Sequence, residues 1–145
     1  MRELDELDRK IAAILGKDGR TTNSEIAAQL AVSEGTIRNR IRKLTESDQL
    51  RIKGLANPNT DPGNQLVFIA AKIALSKDLR RTARAVADLP FVKAVSIVSG
   101  RYDLIIEVLA PPHAMISFIS DHLAKVGSIT STESFMVMEG FNKWV

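Results

Sequence analysis

Hydrophobic positions recur at helical spacing through residues 1–50, and from residue 65 the period changes to short strand-like runs interrupted by two helical ones. Leu4, Leu7, Ile11 and Ile14 fall three and four apart and predict one apolar helix face, stopped by Asp18-Gly19. Thr22-Asn23-Ser24-Glu25 has the form of a capping box and opens a short second helix through Ile26, Ala27 and Leu30. Ala31-Val32 is a tight break. Ser33 then stands as the cap of a third helix whose inward positions are Ile37, Ile41 and Leu44. Two short helices joined through a few residues, the second opening on a serine cap, make a helix-turn-helix.

Behind it, Ala56-Asn57-Pro58-Asn59-Thr60-Asp61-Pro62-Gly63-Asn64 disfavours any continuing element and reads as a linker. This divides the chain into a helical module over 1–55, a linker over 56–64 and a second module over 65–145. Leu66 to Leu75 is apolar on both alternating faces, as in a strand covered on both sides. Lys77-Asp78 leads into a helix with Leu79, Ala83, Val86 and Ala87 inward, ended by Leu89-Pro90. Phe91–Val98 and Tyr102–Leu109 form a hairpin about Ser99-Gly100-Arg101. Pro111-Pro112 opens a second helix with Ile116, Ile119, Leu123 and Val126 inward, and Thr130–Met138 is the last strand. The predicted class is α+β, with a βαββαβ, ferredoxin-like second module. Helices pack on one face of such a sheet. A second copy is the simplest cover for the other, so a homodimer is expected, in keeping with two modules each too small for a generous core.

Charge sharpens the picture. The 145 residues carry 20 Lys and Arg against 17 Asp and Glu, a net charge of +3, which says little about partners. Residues 36–53, however, hold six basic residues against Glu46 and Asp48, a local +4 that leaves the rest of the chain at −1. At 100° per residue, Gly35, Asn39 and Arg42 lie opposite the apolar stripe of the third helix, flanked by Thr36, Arg38 and Lys43. Arginine forks suit guanine edges and asparagine suits adenine, while Ser33, Thr36 and Lys43 suit phosphate oxygens. Gly35 leaves room for close approach, and Arg40, nearer the apolar edge, can reach a backbone phosphate. A basic helix alone is equally a solvated face; two capped helices and a short turn make double-stranded DNA the expected partner.

Other classes are constrained in turn. The absence of cysteine removes disulfides, thiolate nucleophiles and cysteine zinc sites. No apolar run reaches the length of a membrane span, and the acidic start through Glu3, Asp5 and Glu6 does not resemble a signal peptide, so a cytoplasmic protein without membrane partners is expected. His113 and His122 are nine apart on one predicted helix, hence on opposite faces, and cannot share a metal. No phosphate loop or nucleophile elbow is present, so neither catalytic residues nor a cofactor or metal are expected. Asp103 and Glu107 share a strand side and read as surface charges. Arg80, Arg81 and Arg84 read as a solvated face, with a secondary DNA surface as the alternative. Met136 and Met138 read as core or interface, and Trp144 as a loose tail or an anchor on a neighbouring subunit.

Taken in order, these segments resemble the Lrp/AsnC family of feast-or-famine transcriptional regulators. The likeness runs through Leu4-Asp5-Glu6-Leu7-Asp8-Arg9-Lys10-Ile11, Asp18-Gly19-Arg20, Glu25-Ile26-Ala27 and the stretch from Val32 to Leu44. Behind the linker, Ser99-Gly100-Arg101-Tyr102-Asp103 is similar to the family's Gly-x-Tyr-Asp turn, and Thr132-Glu133-Ser134 to its threonine-rich last strand. The resemblance implies a winged-helix-like DNA-binding domain and an amino-acid-responsive sheet domain, in dimers that assemble into tetramers or octamers. By position it implies an effector site at Ser99, Gly100, Arg101, Tyr102, Asp103, Thr132 and Ser134. Exposed turn amides suit a carboxylate there and Asp103 an ammonium; the competing reading is a plain hairpin whose aspartate caps backbone groups. Two departures stand out. Ser47-Asp48-Gln49 replaces the family's glycine after the recognition helix, and Ser134 replaces threonine. The alternatives are a DNA-independent small-molecule sensor and, more remotely, an enzyme resembling the tetrapyrrole decarboxylases that share this fold.

Overall fold

The computed structural model describes residues 3–74 and 78–145, in two compact units that divide between Gly54 and Leu55. Leu75 at the end read for the first strand, Lys77 before the following helix, and Met1-Arg2 lie outside the described residues.

The first unit holds α1 (Glu6–Lys17), α2 (Asn23–Leu30) and α3 (Glu34–Glu46). Each helix starts at a side chain that satisfies otherwise orphaned amides. Asp5 and Asp8 cap α1 reciprocally, Thr22 and Glu25 do the same for α2, and Ser33 Oγ accepts the Thr36 amide at 3.1 Å. The turn between α2 and α3 passes through Ala31, left-handed at φ 53°. Ile11, Leu15, Ile26, Ala27 and Ile37 form the core, with Leu7, Ile14, Leu30, Val32, Ile41 and Leu50 packed around it. The exit from α3 answers the missing glycine. Asp48 takes the left-handed conformation at φ 57°, the Gln49 and Leu50 amides both donate to Leu44 O, and Ser47 Oγ donates to Lys43 O at 2.8 Å. Aspartate tolerates that region better than most side chains, so it serves where glycine is usual. Residues 51–57 carry no regular structure, so no wing hairpin follows α3 among the described residues.

The second unit contains β1 (Gln65–Ile73), α4 (Leu79–Ala87), β2 (Val92–Ile97), β3 (Leu104–Ala110), a helical run from 112 to 125, and β4 (Ile129–Met136). The sheet is antiparallel throughout in the order β2-β3-β1-β4, as expected of a βαββαβ chain. Val67, Ile69 and Ala71 of β1 join Leu104, Ile106, Val108 and Ala110 of β3 on the face covered by Val86, Phe118 and Leu123. Thr82 is buried on α4 where Ala87 was expected, and Ala87 is exposed; Thr82 satisfies its hydroxyl with Ser128 Oγ at 2.6 Å.

The second helix departs most from expectation. It is 3₁₀ over Pro112–Ala114, α over Met115–Ser117, π over Phe118–His122 and 3₁₀ over Leu123–Lys125. The wider π turn spaces inward positions five apart, so Phe118 and Leu123 point into the core. Ile116, expected inward, is 79% exposed.

The opposite sheet face is covered in part by the chain's own end. Lys143 Nζ reaches Glu107 at 2.7 Å and lies 5.8 Å from the Phe68 ring centre. Ala56 and Val145 exchange both backbone hydrogen bonds, and Asn59 and Gly140 exchange a second pair. The stretch read as a linker is thus structured, with a 3₁₀ turn at Pro58–Thr60, and belongs to the second unit. Trp144 lies beside this anchored end at 54% exposure, so the tail is not loose, while Met136 and Met138 stand outside the core at 60% and 89%. Phe118→Ala should cost about 3–5 kcal/mol, whereas Ile116→Ala should stay within about 0.5 kcal/mol in denaturant unfolding.

Candidate functional site

The outward face of α3 carries Gly35, Arg38, Asn39, Arg42 and Lys43, all exposed, with Ser33 exposed ahead of it and Thr36 half-buried. Buried Ile37 and Leu44 hold the inner face against the unit. A methyl group on Gly35 would meet only Ser33 Oγ, at 3.9 Å, so the approach to the first turn is open. The Ser33 and Thr36 hydroxyls lie 2.8 Å apart in one hydrogen bond. Asn39 and Lys43 have no side-chain hydrogen bond or ion pair among the described residues.

The arginines differ from this. Arg38 Nη2 donates to Glu34 Oε1 at 2.6 Å, and Arg42 Nη1 stands 3.9 Å from Glu46. Arg40 does not project toward solvent as a phosphate ligand would. Its Nη1 donates to Asp5 and, at 3.1 Å, to Oδ1 of Asp8, which is only 1% exposed. Those two bonds, Asp5 first, push the Arg40 pKa above its ordinary value. This side chain ties the recognition helix to α1. The Asp5 and Asp8 partners went unread in the sequence, although their three-residue spacing ahead of an apolar run is itself a capping signal.

In the second unit, the residues singled out by resemblance do not form one cluster. Ser99, Gly100 and Arg101 are exposed in the β2–β3 turn, where Gly100 has φ 118°, a conformation that favours glycine. Arg101 lies 5.6 Å from the Tyr102 ring centre, and Tyr102 OH donates to Glu133 across the sheet. Asp103 Oδ2 accepts the Ile73 amide at 2.8 Å and its own amide donates to Ala71 O at 2.9 Å. Its carboxylate therefore braces the backbone, as in the plain-hairpin reading. Thr132 and Ser134 pair with Ala71 and Ile69 and share the core side of β4, whereas Glu133 between them pairs with Ala70 on the other side. Thr132 instead lines a cleft of about 210 Å³ with Ile119, Leu123, Ala124, Ile129, Thr130 and Ser131. Glu133, the middle residue of a quoted motif, is the member that sequence reasoning passed over. Glu107 pairs with Lys143, so Asp103 and Glu107 serve separate partners and form no acid–base pair. Among the described residues, no group of three or more His, Cys, Asp or Glu could hold a metal, and no helix is long and apolar enough to cross a membrane.

A helix-turn-helix unit with a basic outward helix, joined to a βαββαβ unit, defines a DNA-binding regulator with a ligand-binding domain. The chain belongs to the Lrp/AsnC family: residues 4–45 match the AsnC-type helix-turn-helix domain and residues 66–143 the Lrp/AsnC ligand binding domain. An uncharacterised HTH-type transcriptional regulator of Pyrococcus horikoshii, PH0140, is 32% identical over 144 residues, covering 98% of this chain and 90% of the relative. The leucine response regulatory protein LrpA of Mycobacterium tuberculosis has a similar fold, with a TM-score of 0.79 at 20% identity over 97% of this chain and 96% of that one. So has the transcriptional regulator NMB0573 of Neisseria meningitidis, crystallised as a complex with L-Met, with a TM-score of 0.71 at 24% identity over 97% and 94%.

Asp8→Ala should lower the stability of the first unit by on the order of 2 kcal/mol. That is less than a fully buried pair would cost, because the Arg40 side chain is 30% exposed. Arg40→Ala should lower the melting temperature while leaving the salt dependence of DNA binding unchanged; a shallower dependence would restore it to the phosphate contacts. Tyr102 is the sole tyrosine, so its titration can be followed by ultraviolet absorbance. Hydrogen bonding to Glu133 raises its pKa above the ordinary 10, against a lowering by Arg101. Ionisation should therefore begin at higher pH than in a model peptide, and Glu133→Gln should bring it back down.

Proposed function

We propose that α3 enters the major groove of double-stranded DNA, with Arg38, Asn39 and Arg42 reading base edges and Ser33, Thr36 and Lys43 contacting phosphates. Gly35 admits close approach to the backbone. Arg40 holds the helix at its working angle rather than joining the phosphate contacts. The observation that carries this reading is the exposed basic face of α3, fixed from behind by Ile37, Leu44 and the Arg40–Asp8 bond. Paired half-sites follow from a homodimer, for which the partly covered outer face of the sheet, with Phe135 at 48% exposure, supplies a surface. Higher assembly to tetramers or octamers is the family's habit, and DNA as the partner places the work in the cytoplasm.

The second unit responds to an amino acid or a closely related metabolite, a reading supported by the ligand-binding family match and by the L-Met complex of the Neisseria relative. Ser99, Gly100, Arg101 and Tyr102 form the polar side of that site and Asp103 holds its backbone in shape; Thr132 and Ser134, on the opposite side of β4 from the Glu133 that Tyr102 meets, stand apart from it. Ligand binding acts by favouring one assembly or spacing of DNA-binding units over another. The reading is of a regulator without catalysis, cofactor or metal.

Asn39→Ala and Arg42→Ala should each weaken binding to the preferred duplex by about 1–3 kcal/mol and relax preference at one base pair. Lys43→Ala should weaken binding to all sequences alike and reduce the salt slope by about 1. Gel shifts at two salt concentrations measure both effects, and no loss for any of the three would move recognition elsewhere. A screen of the twenty amino acids that altered neither DNA affinity nor oligomeric state would sink the effector proposal.

A further inference from the structure

Six basic residues between 36 and 53 gave this region its apparent surplus of charge, yet the structure brings carboxylates from outside that window onto its arginines. Asp5 and Asp8 account for Arg40. Glu34, the first residue of α3, accounts for Arg38 through a hydrogen bond of 2.6 Å, with the two side chains 48% and 68% exposed. The pair across the next turns is different in kind, because Glu46 is 3.9 Å from Arg42 and makes no hydrogen bond. One outward arginine of the recognition helix is therefore held in a set orientation by a neighbour, and the other is not.

Resting on the reading of α3 given above, we infer that Glu34 is a specificity-determining residue that acts by positioning Arg38. A guanidinium has five N–H donors in a planar fork, and the bond to Glu34 uses one of those on Nη2. The second Nη2 hydrogen and those of Nη1 remain for the two acceptors of a guanine edge, so the carboxylate and the base can hold the same arginine together. A phosphate can take the same donors, but it brings a second anion beside the Glu34 carboxylate, which a neutral guanine edge does not. To meet the backbone without that repulsion, Arg38 must swing away from Glu34, giving up one anion for another and leaving the carboxylate unpaired beside the negative duplex. The pair thus favours the base-reading orientation and penalises capture by phosphates. It does so with an exposed bond whose worth is small, enough to shift a preference but not to hold the fold.

The experiment uses the full-length protein and a random duplex pool, from which the wild-type chain selects its preferred sequence. Affinities are then measured for that duplex, for each single base-pair variant and for a random-sequence competitor, at several salt concentrations, with melting temperatures alongside. Arg38→Gln should identify the base pair that Arg38 reads. Glu34→Gln should relax preference at that same base pair by about 2- to 3-fold. It should raise affinity for the random competitor by about 2- to 5-fold, with a salt slope steeper by about 0.9. In an Arg38→Gln background, Glu34→Gln should leave base preference and salt slope unchanged, with only the smaller rise in affinity that neutralising an unpaired carboxylate gives. If Glu34→Gln acts equally with and without Arg38, Glu34 works by general repulsion and the inference is overturned. The same follows if Arg38→Gln relaxes a base pair that Glu34→Gln leaves intact, or if Arg38→Gln relaxes none. A wild-type chain that selects no sequence from the pool would instead overturn the DNA-reading assignment of α3 on which this rests.

Discussion

A buried carboxylate sets the geometry on which the DNA-binding unit depends. Asp8 is almost wholly out of water, and a charge there is tolerable only because its surroundings bind it: the Asp5 amide on one oxygen and the Arg40 guanidinium on the other. The same two aspartates close the amide-rich start of α1. Helix initiation and helix docking therefore share one set of atoms, and the orientation of α3 is specified by a hydrogen-bonded charge as well as by the shape of Ile37 and Leu44. Apolar contacts alone would tolerate some rotation of a helix against its neighbours; one guanidinium nitrogen donating to oxygens of two separate aspartates tolerates much less.

Seen from that constraint, the basic helix is not simply basic. Each of its arginines has a carboxylate within 4 Å, whereas Asn39 and Lys43 are without side-chain partners among the described residues. The face can be positively charged toward a duplex while the guanidinium groups of Arg38 and Arg40 are already oriented by hydrogen bonds. Net charge near +3 for the whole chain is compatible with this arrangement, since recognition relies on where donors point more than on how many there are.

The sheet unit uses polar atoms in a similar way. Asp103 accepts the Ile73 amide beyond the end of the β1–β3 pairing, so the hairpin turn is pinned to the central strand. Tyr102 reaches over to Glu133 on the far strand, joining the turn to β4. On the outer face, Lys143 satisfies Glu107 and lies near Phe68, while the Val145–Ala56 and Gly140–Asn59 pairs secure the tail to the segment entering the sheet. A connector that carries backbone bonds to the chain's end is an integral part of its domain.

Local chemistry made much of this legible from the residues. The Thr22–Glu25 box, the Ser33 cap, the stripe of Ile37 and Leu44 and the order of strands and helices are all written in neighbouring positions, where spacing alone decides which groups meet. The outward set on α3 was legible for the same reason. What spacing could not supply were partners distant in sequence. Arg40 lies 35 residues from Asp5, Tyr102 lies 31 from Glu133 and Lys143 lies 36 from Glu107. The phase of the run from 112 to 125 belongs here too, because a π turn moves Phe118 inward and Ile116 outward without any change in composition. Periodicity is a property of the chain and can be read along it. Which charge a long side chain satisfies, and which face an irregular turn buries, are fixed only when the elements pack, since only then do separated groups compete for the same hydrogen bonds and the same dry space.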